Sequence, residues 1–77
     1  MIRDYKGIRY TTLMASDVER DGVGLELHWH FQNQDAVVAE IFASDKDGSW
    51  TLSTFECDVP LELIAEAKTK LTHDTTA

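Results

Sequence analysis

The stretch VGLELHWHFQNQDAVVAEIFAS, residues 23–44, decides the fold. Val23, Leu25, Leu27, Trp29 and Phe31 recur at every second position, the period that sets one face of a β-strand against a core. After the polar run Asn33-Gln34-Asp35, the positions Val37, Ala39, Ile41 and Ala43 repeat that period. A three-residue loop would place Val37, Ala39, Ile41 and Ala43 opposite Phe31, Trp29, Leu27 and Leu25, apolar on apolar. An antiparallel hairpin over residues 23–32 and 36–44 follows.

Outward from that hairpin the signals continue. Ile8, Tyr10, Met14 and Val18 share parity with Thr12 and Ser16, which predicts a strand over residues 8–18. Asp21-Gly22 suits the two positive-φ positions of a type I′ turn. Downstream, Asp45-Lys46-Asp47-Gly48 reads as a type I turn with glycine in the left-handed position, returning the chain into a strand over residues 49–57. Pro60 pre-sets φ for the first turn of a helix, and Glu62 and Glu66 ahead of Lys68 and Lys70 complement the helix dipole. Leu61, Ile64, Ala67 and Leu71, flanked by Leu63 and Ala65, form the stripe that would cover the sheet face carrying Trp29. Residues 1–7 read as an N-terminal segment and residues 72–77 as a frayed tail. The predicted architecture is α+β, a four-stranded antiparallel β-meander with one C-terminal α-helix packed on one face (ββββα), in a single small domain spanning residues 1–77.

Composition bounds what such a domain does. At 77 residues, one core supplies only about 3–5 kcal/mol, so self-association that adds buried surface is expected. A single cysteine, Cys57, rules out an intrachain disulfide and points to a reducing, cytoplasmic setting. No apolar run is long enough to span a bilayer, and the N-terminus lacks the pattern of a signal peptide. The net charge is −7, and residues 17–66 hold twelve acids against two bases, Arg20 and Lys46, a local balance of −10. Such a surface repels the phosphate backbone of nucleic acid and attracts a basic protein partner.

With the odd residues of the hairpin under the helix, the other sheet face is expected to present Glu26, His28, His30, Val38, Glu40 and Phe42, with Thr51, Ser53 and Phe55 from the last strand and Thr11 and Leu13 from the first. Val38, Phe42 and Phe55 would anchor a homodimer there. His28 and His30 point the same way from one strand, and with Glu26 and Glu40 they offer two nitrogens and two carboxylates to zinc or ferrous iron, the basis of an alternative reading as a metal-binding protein or metal-dependent enzyme. An ordinary polar strand face, with Glu40 paired to His28, needs no metal, and no cofactor is expected. Cys57 lies between Glu56 and Asp58, which raise a thiol pKa, so it is read as structural rather than as a nucleophile. The Asp45 to Gly48 turn lacks the ligand spacing of a calcium loop.

In size, acidity and sheet-plus-helix build the chain is similar to phage-encoded inhibitors, anti-CRISPR proteins among them, and to bacterial immunity proteins, a similarity carried by no motif. It implies a non-enzymatic module that occupies another macromolecule's surface as an inhibitor. Glu26, Asp45, Asp47, Glu62 and Glu66 are the candidate partner-binding residues, and an accessory subunit of a larger enzyme is a further alternative.

Overall fold

The computed structural model describes residues 2–75. Five strands precede one helix: β1 (Ile2–Tyr5), β2 (Ile8–Asp17), β3 (Gly22–Phe31), β4 (Gln34–Ser44), β5 (Trp50–Thr54) and α1 (Leu61–Thr75). All strands are antiparallel and adjacent in chain order, β1-β2-β3-β4-β5. The meander with a C-terminal helix is as the periodicity predicts, but it has five strands, not four. The extra strand is the N-terminal segment. Lys6 and Gly7, at φ 50° and 82°, form a two-residue turn that pairs Tyr5 with Ile8.

Two turns differ from expectation, and one of them resets the register. The β3–β4 connection is not the three-residue Asn33-Gln34-Asp35 loop but the two-residue turn Gln32-Asn33, both at positive φ (50° and 62°), closing on Phe31 and Gln34. The pairing is therefore tighter than expected. A one-residue shift between Leu27 and His28 then brings Leu27 opposite Ala39, Leu25 opposite Ile41 and Val23 opposite Ala43, while Trp29 faces Ala36. Val38 is the residue accommodated by this β-bulge. The β2–β3 turn occupies residues 18–21; only Asp21 is left-handed there, at φ 51°, and Gly22 already pairs with Asp17. The Gly48 expectation holds: its φ is 72°, its N–H donates to the Ser44 carbonyl, and Asp47 Oδ1 accepts from Ser49 N–H at 2.9 Å.

The helix packs on the face that carries Leu25, Leu27, Ala39 and Ile41. Two adjoining clusters form the core. Leu63 meets Tyr10, Leu27, Val38 and Ala39, while Ala67 and Leu71 meet Leu25 and Ile41; Ile64 packs against both. The fully buried helical stripe is Leu63, Ala67 and Leu71, spaced by four; Ala67, Leu71 and the half-buried Ile64 belong to the expected stripe, while Leu61 lies outside it, 78% exposed. The helix also extends through Thr75, so residues 72–75 of the expected frayed tail are helical; residues 76 and 77 lie outside the described residues. Thr69 and Thr72 hydroxyls donate back to the carbonyls of Ala65 and Lys68. No helix among the described residues is long and apolar enough to cross a membrane.

Candidate interaction surfaces

The sheet face away from the helix is ordered in rows fixed by strand pairing. One row runs Ile2, Thr11, His28, Val37, the next Leu13, Glu26, Glu40, Ser53, and a third Ala15, Gly24, Phe42, Thr51. Glu40 therefore stands across from Glu26, not His28, a consequence of the tighter turn and the bulge. Instead His28 Nε2–H donates to Glu26 Oε1 at 3.0 Å along the same strand. Two residues further on, His30 Nδ1 lies 2.6 Å from Asp35 Oδ1 and its Nε2 lies 2.8 Å from Thr11 Oγ1. Since a carboxylate only accepts, Nδ1 carries a proton and a neutral His30 accepts from the Thr11 hydroxyl at Nε2.

That relay has the order of nucleophile, base and orienting acid, yet its setting does not suit acyl transfer. Thr11 lies mid-strand, paired with both Ile2 and His28, so the sheet ladders on its two sides use the local backbone amides that would have to hold an oxyanion. The four residues of the alternative metal reading, Glu26, His28, His30 and Glu40, are divided among separate contacts: Glu26 with His28, His30 with Asp35 and Thr11, Glu40 with Arg20. Among the described residues no three His, Cys, Asp or Glu side chains gather as ligands to one ion.

Arg20, a turn residue with no expected role, organises the other end of this face. Its guanidinium lies 4.1 Å from the centre of the Phe42 ring, donates from Nη2 to both Glu40 oxygens at 3.1 and 2.9 Å, and donates from Nε to Asp17 Oδ2 at 2.5 Å. Hydrogen bonds from the Arg20 side chain, then from its backbone N–H, hold the Asp17 carboxyl below the usual carboxylate range. The Arg20 guanidinium is in turn held protonated still more firmly by Glu40, then by Asp17. Beneath it Phe42 rests on Gly22, whose absent Cβ leaves the room: a Cβ there would sit 2.3 Å from the Ala43 carbonyl oxygen and 2.6 Å from Phe42 Cζ.

Phe42 is on the expected face but, under Arg20, only 8% exposed. Val38 is not on that face. The bulge turns it under the helix, where it is 3% exposed and packs with Leu63 and Tyr10, so the apolar self-association patch of Val38, Phe42 and Phe55 keeps only Phe55 as an exposed member. Cys57 is a free, exposed thiol, within reach of the Val38 carbonyl at 3.9 Å.

The five acids singled out for partner binding fall on three surfaces. Glu26 is on the open face. Glu62 and Glu66 line the helix edge above β1, where Glu66 pairs with Arg3 and Glu62 accepts from the Tyr5 hydroxyl at 3.2 Å; both clamp the N-terminal strand. Asp45 and Asp47 sit in the β4–β5 turn, beside the β2–β3 turn: Asp45 N–H donates to the Asp21 carbonyl at 2.7 Å, and Lys46 Nζ is 3.8 Å from Asp21 Oδ2. This end of the sheet gathers Asp17, Glu19, Asp21, Asp45 and Asp47 against Arg20 and Lys46, five acids less two bases, and both bases are already engaged by acids. Asp47 is kept below the usual carboxylate range by hydrogen bonds from the Ser49 side chain and then its backbone N–H.

At the sheet's outer edge, Trp50 and Leu52 of β5 alternate onto the helix side yet lie beyond the cover of α1, 38% and 51% exposed. Their alternation, Trp-Thr-Leu-Ser-Thr, is the sequence signal that could have marked them. No protein-family model matches the chain, and neither does any curated protein or solved structure.

Proposed function

We propose that this chain is a non-enzymatic protein-binding module that occupies the surface of a basic partner, in the manner of an inhibitor. The observation that carries this is the acidic end of the sheet, where the tertiary fold brings two turns together and leaves Glu19, Asp45 and Asp47 outside the ion pairs that engage Arg20 and Lys46. Acids already paired within a chain add little to a partner's field, whereas this surplus steers a cationic surface toward one end of the molecule. The contact is with a different protein, because of the three apolar residues expected to anchor a second copy only Phe55 stays exposed, Phe42 lying under Arg20 and Val38 under the helix. A cytoplasmic setting suits the exposed, unpaired Cys57.

Affinity capture with the wild-type chain and with the triple variant Glu19→Lys, Asp45→Lys, Asp47→Lys tests the proposal, with captured proteins quantified at low and at physiological salt. The proteins lost from the variant are expected to be those with lysine- or arginine-rich surfaces, and their capture should weaken as salt rises. Equal capture by both chains would refute an acidic binding end.

A further inference from the structure

β5 is bounded on one side by β4 and on the other by nothing among the described elements. The Phe55 N–H donates to the Val38 carbonyl and the Ser49 carbonyl accepts from Ser44 N–H, so the backbone groups of Ser49, Thr51, Ser53 and Phe55 point toward β4. The alternation leaves the N–H and C=O groups of Trp50, Leu52 and Thr54 aimed outward. Edge strands are ordinarily guarded by charge, proline or a bulge. The opposite edge, β1, carries Arg3 and Asp4, both ion-paired to neighbouring elements. Residues 48–55, GSWTLSTF, contain no charged residue and no proline, and β5 pairs with β4 without a register shift.

We propose that the outer edge of β5 binds an extended segment of the basic partner by strand addition. This rests on the reading above and adds where the partner docks and in what conformation. Three features of the edge define the segment. The outward groups of Trp50, Leu52 and Thr54 supply main-chain hydrogen bonds. Trp50 and Leu52, uncovered on the helix side, select apolar residues at alternate positions of the incoming strand. Asp45 and Asp47 precede β5 while Glu56 and Asp58 follow it, so the ends of the segment meet negative charge and are matched by lysine or arginine. A second copy fits poorly. Antiparallel pairing of two β5 strands would bring Asp45 and Asp47 of each chain toward Glu56 and Asp58 of the other, four acids per junction with one lysine between them.

The probe is a synthetic peptide of alternating valine and threonine with two lysines at each end, compared with the same core ended by glutamates. The lysine-ended peptide is expected to bind, to slow amide exchange at Trp50, Leu52 and Thr54, and to lose about tenfold in affinity to Leu52→Pro, which removes one outward N–H without touching the β4 ladder. Leu52→Lys, which charges the edge while keeping every backbone group, should weaken binding in the same direction and serves if the proline variant does not fold. Undiminished binding to both variants, with β5 exchange unchanged, would overturn the edge site while leaving a basic partner standing. Equal binding of the two peptides at β5 would keep strand addition and remove the requirement for a basic partner. Protection of β5 that grows with protein concentration in the absence of peptide would overturn the proposal in favour of a second copy.

Discussion

Substituting alanine at Gly22 and at Gly24 should give two very different proteins, although both glycines lie in β3 and both are buried. At Gly22 the new Cβ would stand 2.3 Å from the Ala43 carbonyl oxygen and 2.6 Å from Phe42 Cζ, against an ordinary contact of 3.4 Å or more. Relief requires β3 and β4 to part, or the Phe42 ring to leave its place beneath Arg20. Overpacking of this kind costs about 1–3 kcal/mol, and the upper half of that range applies because the obstacle is backbone. At Gly24 the nearest atom is Glu40 Oε2 at 2.8 Å, the end of a flexible side chain, and the next lies at 3.5 Å. Moving Glu40 loosens a solvent-screened ion pair that contributes little, while alanine gains about 0.4–1 kcal/mol by restricting the unfolded chain. Gly24→Ala should therefore remain within ~0.5 kcal/mol of wild type. Urea denaturation followed by the fluorescence of Trp29 and Trp50 measures the difference. With a slope of about 1 kcal/mol per molar, Gly22→Ala should lower the midpoint by ~2 M, most of the stability of so small a domain. Equal midpoints for the two variants would refute the β3–β4 register and the seat of Phe42 on Gly22.

Two further substitutions probe the helix face and the acidic end. Leu63→Ala should cost about 2–5 kcal/mol and leave much of the chain unfolded by circular dichroism, whereas Leu61→Ala, on the exposed side of the same turn, should shift the denaturation midpoint by no more than ~0.5 kcal/mol equivalent; the reverse order would mean that the helix is rotated. Asp17 binds its proton less readily in the folded chain than in the unfolded one, so its pairing with Arg20 contributes stability above the unfolded value of about 3.9 and loses it as pH falls through the lower folded value. The stability gap between wild type and Asp17→Asn should accordingly be full near neutrality and shrink below about pH 4; a gap that does not change with pH would show that the carboxylate's charge is not what holds Arg20.

The sequence by itself determined the order of β2 to β5 and α1, because alternation of apolar residues and the Pro60 helix start are local signals that need no partner to be read. It also determined the acidic balance, which is only a count. What it did not determine is which acids are free. Glu62 and Glu66 are spent on Tyr5 and Arg3 because β1 exists, and β1 rests on the Lys6-Gly7 turn, a weak local signal, together with contacts to residues some sixty positions away. The tertiary structure alone decided the faces of β4. A two-residue turn in place of three, then one bulge, shifted the pairing and sent Val38 into the core while keeping Phe42 outside, and the period of two turns any single-residue slip into a change of face. The same holds for Arg20, a turn residue in the sequence, whose role comes from reaching Phe42 and Glu40 on a strand twenty residues away. The edge at β5 was likewise a matter of topology: alternation marks Trp50 and Leu52 as strand residues, but only the sheet order leaves their backbone groups without a neighbour among the described residues.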